Sequence, residues 1–131
     1  MFSCTGLAIA LACHARPAPA PTPPDSPSLA AVDTSDLAGL RAEVRTLIGD
    51  AACTDRSQCR LIGFGAKPCG GPRQYLVYSI TYTDSVALTS AIARFNARDA
   101  ELNRQLHRIS DCSLVARPSL VVVDGRCAIG P

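Results

Sequence analysis

The side chains with chemistry to offer are cysteines at positions 4, 13, 53, 59, 69, 112 and 127, histidines at 14 and 107, and a glycine-rich stretch from Gly63 to Gly71. Structural zinc sites use closely spaced pairs such as C-x2-C or H-x3-H. None of these spacings supplies one, so no metal and no cofactor is expected. A thiol nucleophile would be Cys127 served by His107 and Asp111, and such a set needs all three groups within hydrogen-bond reach. His107 stands between Leu106 and Arg108, on the expected solvated flank of a helix. A leftover cysteine in a sheet behaves as a small buried hydrophobe. The absence of C-x-x-C argues against redox exchange. Paired carboxylates for acid–base work are not evident, since Glu43 and Glu101 both fall at helical surface positions.

Gly63-Phe64-Gly65 and Gly70-Gly71 invite comparison with a phosphate cradle. A P-loop requires G-x4-G-K-[ST] opening a helix, whereas here Lys67 precedes the second glycine pair and a strand follows. The simpler expectation is a tight turn whose glycines supply positive φ. Rigid exposed loops often carry binding. Lys67, Cys69, Gly70, Gly71, Pro72, Arg73 and Tyr75 are therefore the candidate binding loop.

The elements that must position this loop are legible in the pattern. Asp33, Thr34 and Ser35 offer N-cap oxygens ahead of Leu37, Leu40, Val44, Leu47 and Ile48, predicting a helix over 35–49. Residues 59–65 read as a short strand, and 74–81 as a better one. In the latter, Leu76, Tyr78, Ile80 and Tyr82 share one face, and Tyr75, Val77, Ser79 and Thr81 the other. Thr83, Asp84 and Ser85 offer a second N-cap, and Leu88, Ile92, Phe95, Leu102, Leu106 and Ile109 form the stripe of a helix over 85–108. Its other face carries Arg94, Arg98, Glu101, Arg104 and Arg108 and should meet water, with Arg98 partly neutralised by Asp99 or Glu101. Asp124-Gly125 between apolar runs at 119–123 and 126–129 predicts a closing hairpin. The order α-β-β-α-β-β predicts an α+β domain: about four strands in one small antiparallel or mixed sheet, packed against two helices.

The chain has 131 residues, 47% hydrophobic, 18% charged and 5% aromatic, with ten prolines and no tryptophan. That is room for one domain. A net charge of +2 is too balanced for an electrostatic nucleic-acid binder, and no apolar run approaches the roughly 18 residues of a membrane span. Residues 1–12 read as a signal peptide centred on Leu7-Ala8-Ile9-Ala10-Leu11-Ala12. Met1 to Thr5 lack Lys and Arg, an n-region that fits a start inside a longer precursor. Ala10-Leu11-Ala12-Cys13 resembles a bacterial lipobox, with Ala10 where lipoboxes usually have Leu, and makes Cys13 the lipid-attachment residue. The alternatives are ordinary cleavage after Ala12 or Ala15, or a retained N-terminus. Residues 13–32 follow as a Pro/Ala-rich tether with prolines at 17, 19, 21, 23, 24 and 27, extended at roughly 3.1 Å per residue. The domain proper is 33–131.

In an exported chain the cysteines are read first as disulfides. Loss of Cys4 and modification of Cys13 leave Cys53, Cys59, Cys69, Cys112 and Cys127. Choosing the odd one in five ways and pairing the other four in three gives fifteen frameworks.

The string Cys53-x5-Cys59, Gly65-x-Lys67-x-Cys69-Gly70-Gly71-Pro72, Tyr75-Leu76-x-Tyr78-Ser79, Ser110-Asp111-Cys112 and Gly125-Arg126-Cys127 resembles a group of uncharacterised small bacterial lipoproteins and secreted proteins. It spans about Cys53 to Cys127, and its CGGP-to-YLxYS block is the most distinctive part. The resemblance implies an address and a cysteine pattern, with no established activity. Many members carry a further cysteine in the segment that is Ser119 to Val123 here, and its absence implies that Cys127 is the orphan. On that resemblance the expected bridges are Cys53–Cys59 and Cys69–Cys112, with Cys127 free.

The expected function is a non-enzymatic cell-envelope lipoprotein or secreted domain, on the periplasmic face of a bacterial membrane. It would bind an envelope protein or wall component through the CGGP loop, touch the membrane only through its lipid, bind no nucleic acid and act as a monomer. A periplasmic inhibitor of a hydrolase, using the loop as a rigid plug, is the alternative, and a thiol-dependent enzyme the third.

Overall fold

A computed structural model describes residues 32–131. The expected signal peptide, Cys13 and nearly all of the tether lie outside the described residues. Within 32–131 the order is α1 (Ser35–Ile48), β1 (Cys59–Phe64), β2 (Gln74–Ser79), α2 (Ser85–Gln105), β3 (Leu120–Val123) and β4 (Arg126–Ile129), with a 3-10 turn at Arg56–Gln58. The α+β class holds, with two helices and four strands. No helix among the described residues is long and apolar enough to cross a membrane.

Local chemistry explains each boundary. Asp33 Oδ1 accepts the Ser35 N–H at 2.9 Å at the start of α1, and Gly49 at φ +56° ends it. Asp84 Oδ1 accepts the Val86 and Ala87 N–H groups at 3.0 and 2.9 Å, satisfying two of the orphan donors that open α2. The expected extension of α2 to 108 is not made. Arg108 N–H turns back to the Asn103 carbonyl and His107 takes φ +48°, so Ile109 leaves the stripe and is 95% exposed. β2 likewise stops at Ser79, where its carbonyl accepts from Thr83 N–H, leaving Ile80 and Tyr82 exposed instead of continuing the strand face.

The β1–β2 ladder runs antiparallel from Cys59↔Ser79 to Phe64↔Gln74. Alternation along it separates two faces. Ile62, Phe64, Leu76 and Tyr78 face the helices, where Val44, Leu88, Ala91, Ile92 and Phe95 are buried and Phe64 stacks on Phe95 with centroids 4.0 Å apart. Cys59 and Val77 face the other way, onto Ala51, Cys53, Leu120 and Cys127. The core is thus in two clusters, one on each side of the first hairpin.

Two expectations are corrected by this layering. The four strands form two separate two-stranded sheets rather than one sheet. Asp124 and Gly125, at φ +50° and +72°, close the second hairpin as the Asp-Gly signal predicts. The outer edge of β4 is then taken by residues 51–53: Cys53 N–H donates to Gly125 O at 2.8 Å and Cys127 N–H to Ala51 O at 2.9 Å. With that edge filled, β4 meets the first hairpin through side chains. The second correction concerns the arginines of α2, which do not simply meet water. Arg94 pairs with Glu43, and Arg98 pairs with Asp36 and donates to Asp33 O at 2.7 Å, so both fasten α2 to α1. Arg98 is neutralised by neither Asp99 nor Glu101: Glu101 pairs with Arg104, and Asp99 with Arg73 and Arg108.

The disulfides are Cys59–Cys127 and Cys69–Cys112, and Cys53 is a buried free thiol. Cys69–Cys112 is the pair expected. Cys53–Cys59 is not, and Cys127 is not the orphan. The second hairpin carries Cys127 onto the face of β1 that holds Cys59, with Cα atoms 5.6 Å apart, well within disulfide range. Cys53 remains beside them, its sulfur 3.7 Å from Cys59 Sγ.

Candidate functional site

The loop between β1 and β2 is the most heavily fastened irregular segment of the domain. At its start Gly65 takes φ +80°, and a Cβ there would lie 2.9 Å from Arg73 side-chain carbons, so both conformation and space require glycine. Its backbone is then read by α2. Gly65 N–H donates to Asn96 Oδ1 at 2.7 Å, Ala66 N–H to Asp99 Oδ2 at 2.8 Å, and Asn103 Nδ2 to Ala66 O at 2.7 Å. Asn96, Asp99 and Asn103 stand three and four residues apart, which places them on one face of the helix. Arg73 closes the loop from its other end, donating from Nε to Asp99 Oδ2 and from its terminal nitrogen to Asn103 Oδ1, both at 2.8 Å. Arg108 reaches Asp99 Oδ1 at 3.5 Å.

The tip is fastened differently. Lys67 N–H donates to Gly71 O at 3.0 Å and Gly70 N–H to Lys67 O at 2.9 Å, a tight turn that Gly70 and Gly71 permit with φ +99° and +79°. The Lys67 ammonium, itself mostly buried, donates to Asp111 Oδ1 at 3.1 Å, Ser113 Oγ at 3.1 Å and the Ser113 carbonyl. Hydrogen bonds from the Ser113 hydroxyl and backbone N–H, with that of Lys67, hold the Asp111 carboxyl down to about 2. The Cys69–Cys112 bond adds a covalent tie between the same two segments.

The expected binding residues therefore divide. Lys67, Arg73 and Cys69 are used internally, to hold the loop, and are not free contacts. Tyr75 lies half-buried in β2, with the Arg117 guanidinium 5.9 Å from its ring centroid. Pro72 is half-buried, with its ring carbons against Gly63. Gly70 and Gly71 remain exposed, as does Pro68. Ile109 and Leu114, 95% and 90% exposed, flank the segment that Lys67 and Cys69 hold. Neither was singled out as a contact from sequence, because Ile109 fits the helical stripe and only the early end of α2 frees it.

Of the set that a thiol enzyme would need, Cys127 is spent in a disulfide and His107 is exposed past the end of α2. Cys53, Cys59 and Cys127 bring their sulfurs within 4.8 Å of one another, a grouping that sequence spacing does not reveal. With Cys59 and Cys127 bonded to each other, Cys53 is the one thiol donor of the three. In comparisons with known proteins, no family model, no curated protein and no solved structure matches this chain.

Proposed function

We propose that this chain is a non-enzymatic, exported binding domain, anchored through a lipid on Cys13 at the periplasmic face of a bacterial membrane. It grips a protein partner with the exposed crest of its disulfide-held loop pair. The crest is Pro68, Gly70 and Gly71 on one loop and Ile109 and Leu114 on the other. The observation that carries this reading is the contrast between how firmly these loops are held and what they expose. A disulfide, the Lys67 latch and the Asn96–Asp99–Asn103 stripe hold them, yet two large aliphatic side chains stand almost wholly in solvent. Preorganisation of this kind reduces the ordering cost of binding, and exposed apolar patches mark interaction sites. The two disulfides fit an oxidising compartment, and the cysteine-pattern resemblance supports the same address.

The test is affinity capture from envelope extracts, comparing the oxidised chain with its Ile109→Ser/Leu114→Ser variant. Both side chains are exposed, so the variant keeps its fold. Retention of the captured partner should fall by about tenfold or more, equivalent to about 1.4 kcal/mol. Equal retention by both chains overturns the assignment of the crest. Intact mass of protein recovered from membranes tests the anchor, which requires a diacylglyceryl increment on a chain beginning at Cys13.

A further inference from the structure

A separate surface lies along β2, away from the loop crest. β2 is paired on one side only, with β1. Just outside the strands, Ile80 N–H donates to Gln58 O at 2.9 Å, which sets the phase of the ladder. In an antiparallel pair the bonded positions alternate. Tyr78, Leu76 and Gln74 therefore direct their main-chain groups to β1, while Tyr75 and Val77 direct theirs to the open side. No hydrogen bond from elsewhere among the described residues reaches the main chain of Tyr75 or Val77. A groove of about 340 Å³ runs along this edge. α1 forms one wall with Arg41, Val44, Arg45 and Ile48, and Ile129 at the end of β4 lies opposite.

We propose that this open edge is a docking groove for an extended acidic peptide, which adds to β2 as a third strand. The occupant follows from the walls. Arg41 and Arg45 lie four residues apart, so they share one face of α1 about 6 Å apart along its axis. Alternate side chains of a strand recur at about 6.7 Å. A peptide seated on Tyr75 and Val77 would point every second side chain towards α1, and carboxylates there meet the two guanidinium groups in step. Its intervening side chains face Val77 and Ile129 and are apolar. Neither Arg41 nor Arg45 has a carboxylate partner among the described residues, although six other arginines do. The Arg41 guanidinium lies 5.7 Å from the Phe64 centroid and 5.5 Å from that of Phe95, held in place before any ligand arrives. Arg117 over Tyr75 adds a third cation at the edge without a carboxylate partner. Main-chain bonds with alternating pockets are the mode of strand addition.

Cations near an exposed edge can also serve only to keep chains apart, and the experiment separates the two roles. The probes are fluorescein-labelled peptides alternating Glu with Val, titrated into the oxidised full-length chain. Companion peptides replace Glu with Lys, or carry N-methyl groups on alternate amides. The protein variant is Arg41→Glu/Arg45→Glu, at exposed helix positions. Saturable binding of the Glu peptide is expected, weakening as salt rises and protecting the Tyr75 and Val77 amides from exchange. It should drop by about tenfold or more with either the N-methylated peptide or the variant. The proposal is overturned by undiminished binding of the N-methylated peptide, which would make the groove a simple anion site. It is equally overturned by preference for the Lys peptide, by no saturable binding up to about 1 mM, or by self-association of the chain that protects the same two amides.

Discussion

Three buried sulfurs lie together at the junction of the hairpins, and which two are bonded is a question of position rather than of chemistry. Cys53 lies 3.7 Å from Cys59 Sγ, so removal of Cys127 leaves Cys59 a partner within easy reach. Oxidised Cys127→Ser should carry a Cys53–Cys59 bridge in peptide maps, while Cys53→Ser should retain Cys59–Cys127. A Cys127→Ser protein with both Cys53 and Cys59 alkylated would contradict the shared site. Asp111 is the second residue whose behaviour follows from its contacts. Its carboxyl titrates at about 2 in the folded chain against 3.8 unperturbed, so its contribution to stability is present above about 3.8 and lost as pH falls through about 2. The stability difference between wild type and Asp111→Asn should be constant at neutral pH and shrink across that acid window. A thermal-melt difference that stays unchanged down to pH ~2 would count against the Lys67–Asp111 latch.

At the scale of elements, α2 does two jobs with two faces. Leu88, Ala91, Ile92, Phe95 and Leu102 bury themselves in the core, while Asn96, Asp99 and Asn103 satisfy the backbone of the neighbouring loop. Asp99 is 4% exposed and serves Arg73, Arg108 and the Ala66 N–H at once. Asp99→Ala would leave the part-buried Ala66 N–H without its acceptor and take from Arg73 and Arg108 the carboxylate they share, with Arg73 keeping only Asn103 Oδ1. Because the arginines are partly exposed, the expected loss is about 2–3 kcal/mol rather than the full cost of breaking a buried pair. Asp99→Asn, which keeps an acceptor oxygen, should lose less, and urea unfolding measures both. Equal stability of Asp99→Ala and wild type would show that water can replace the stripe. The signal for this stripe is present in the sequence as polar residues at helical spacing. It reads there as part of a solvated flank, because a loop that lies against it is invisible along the chain.

For the molecule as a whole, covalent ties join elements that share no ladder. Cys59–Cys127 links the two hairpins across 68 residues, and Cys69–Cys112 links the loop to the segment after α2 across 43. In the chain-entropy account each closure is worth about 4 kcal/mol, a large share of the stability of a domain this small. Reduction should therefore lower the thermal midpoint steeply and allow Cys53, buried in the native state, to be alkylated with the rest. A reduced chain that melts at the oxidised temperature would mean that the core alone carries the fold.

Along the chain, local chemistry determined a good deal: the Asp84 cap and the Asp33 turn that lead into the helices, the Asp124-Gly125 turn, both helices, all four strands, and the rigid glycine loop with its cysteine. These depend on neighbours within a few residues, where spacing and φ preference decide. Tertiary structure alone decided the rest. It chose Cys127 over Cys53 as the partner of Cys59, filled the edge of β4 with residues 51–53 and so split the strands into two sheets. It also turned Lys67 inward, tied Arg73 to Asp99 and Asn103, and left Ile109 and Leu114 outside. Each of those outcomes depends on which surfaces pack together across tens of residues, and periodicity along one segment carries no information about the surface it will meet.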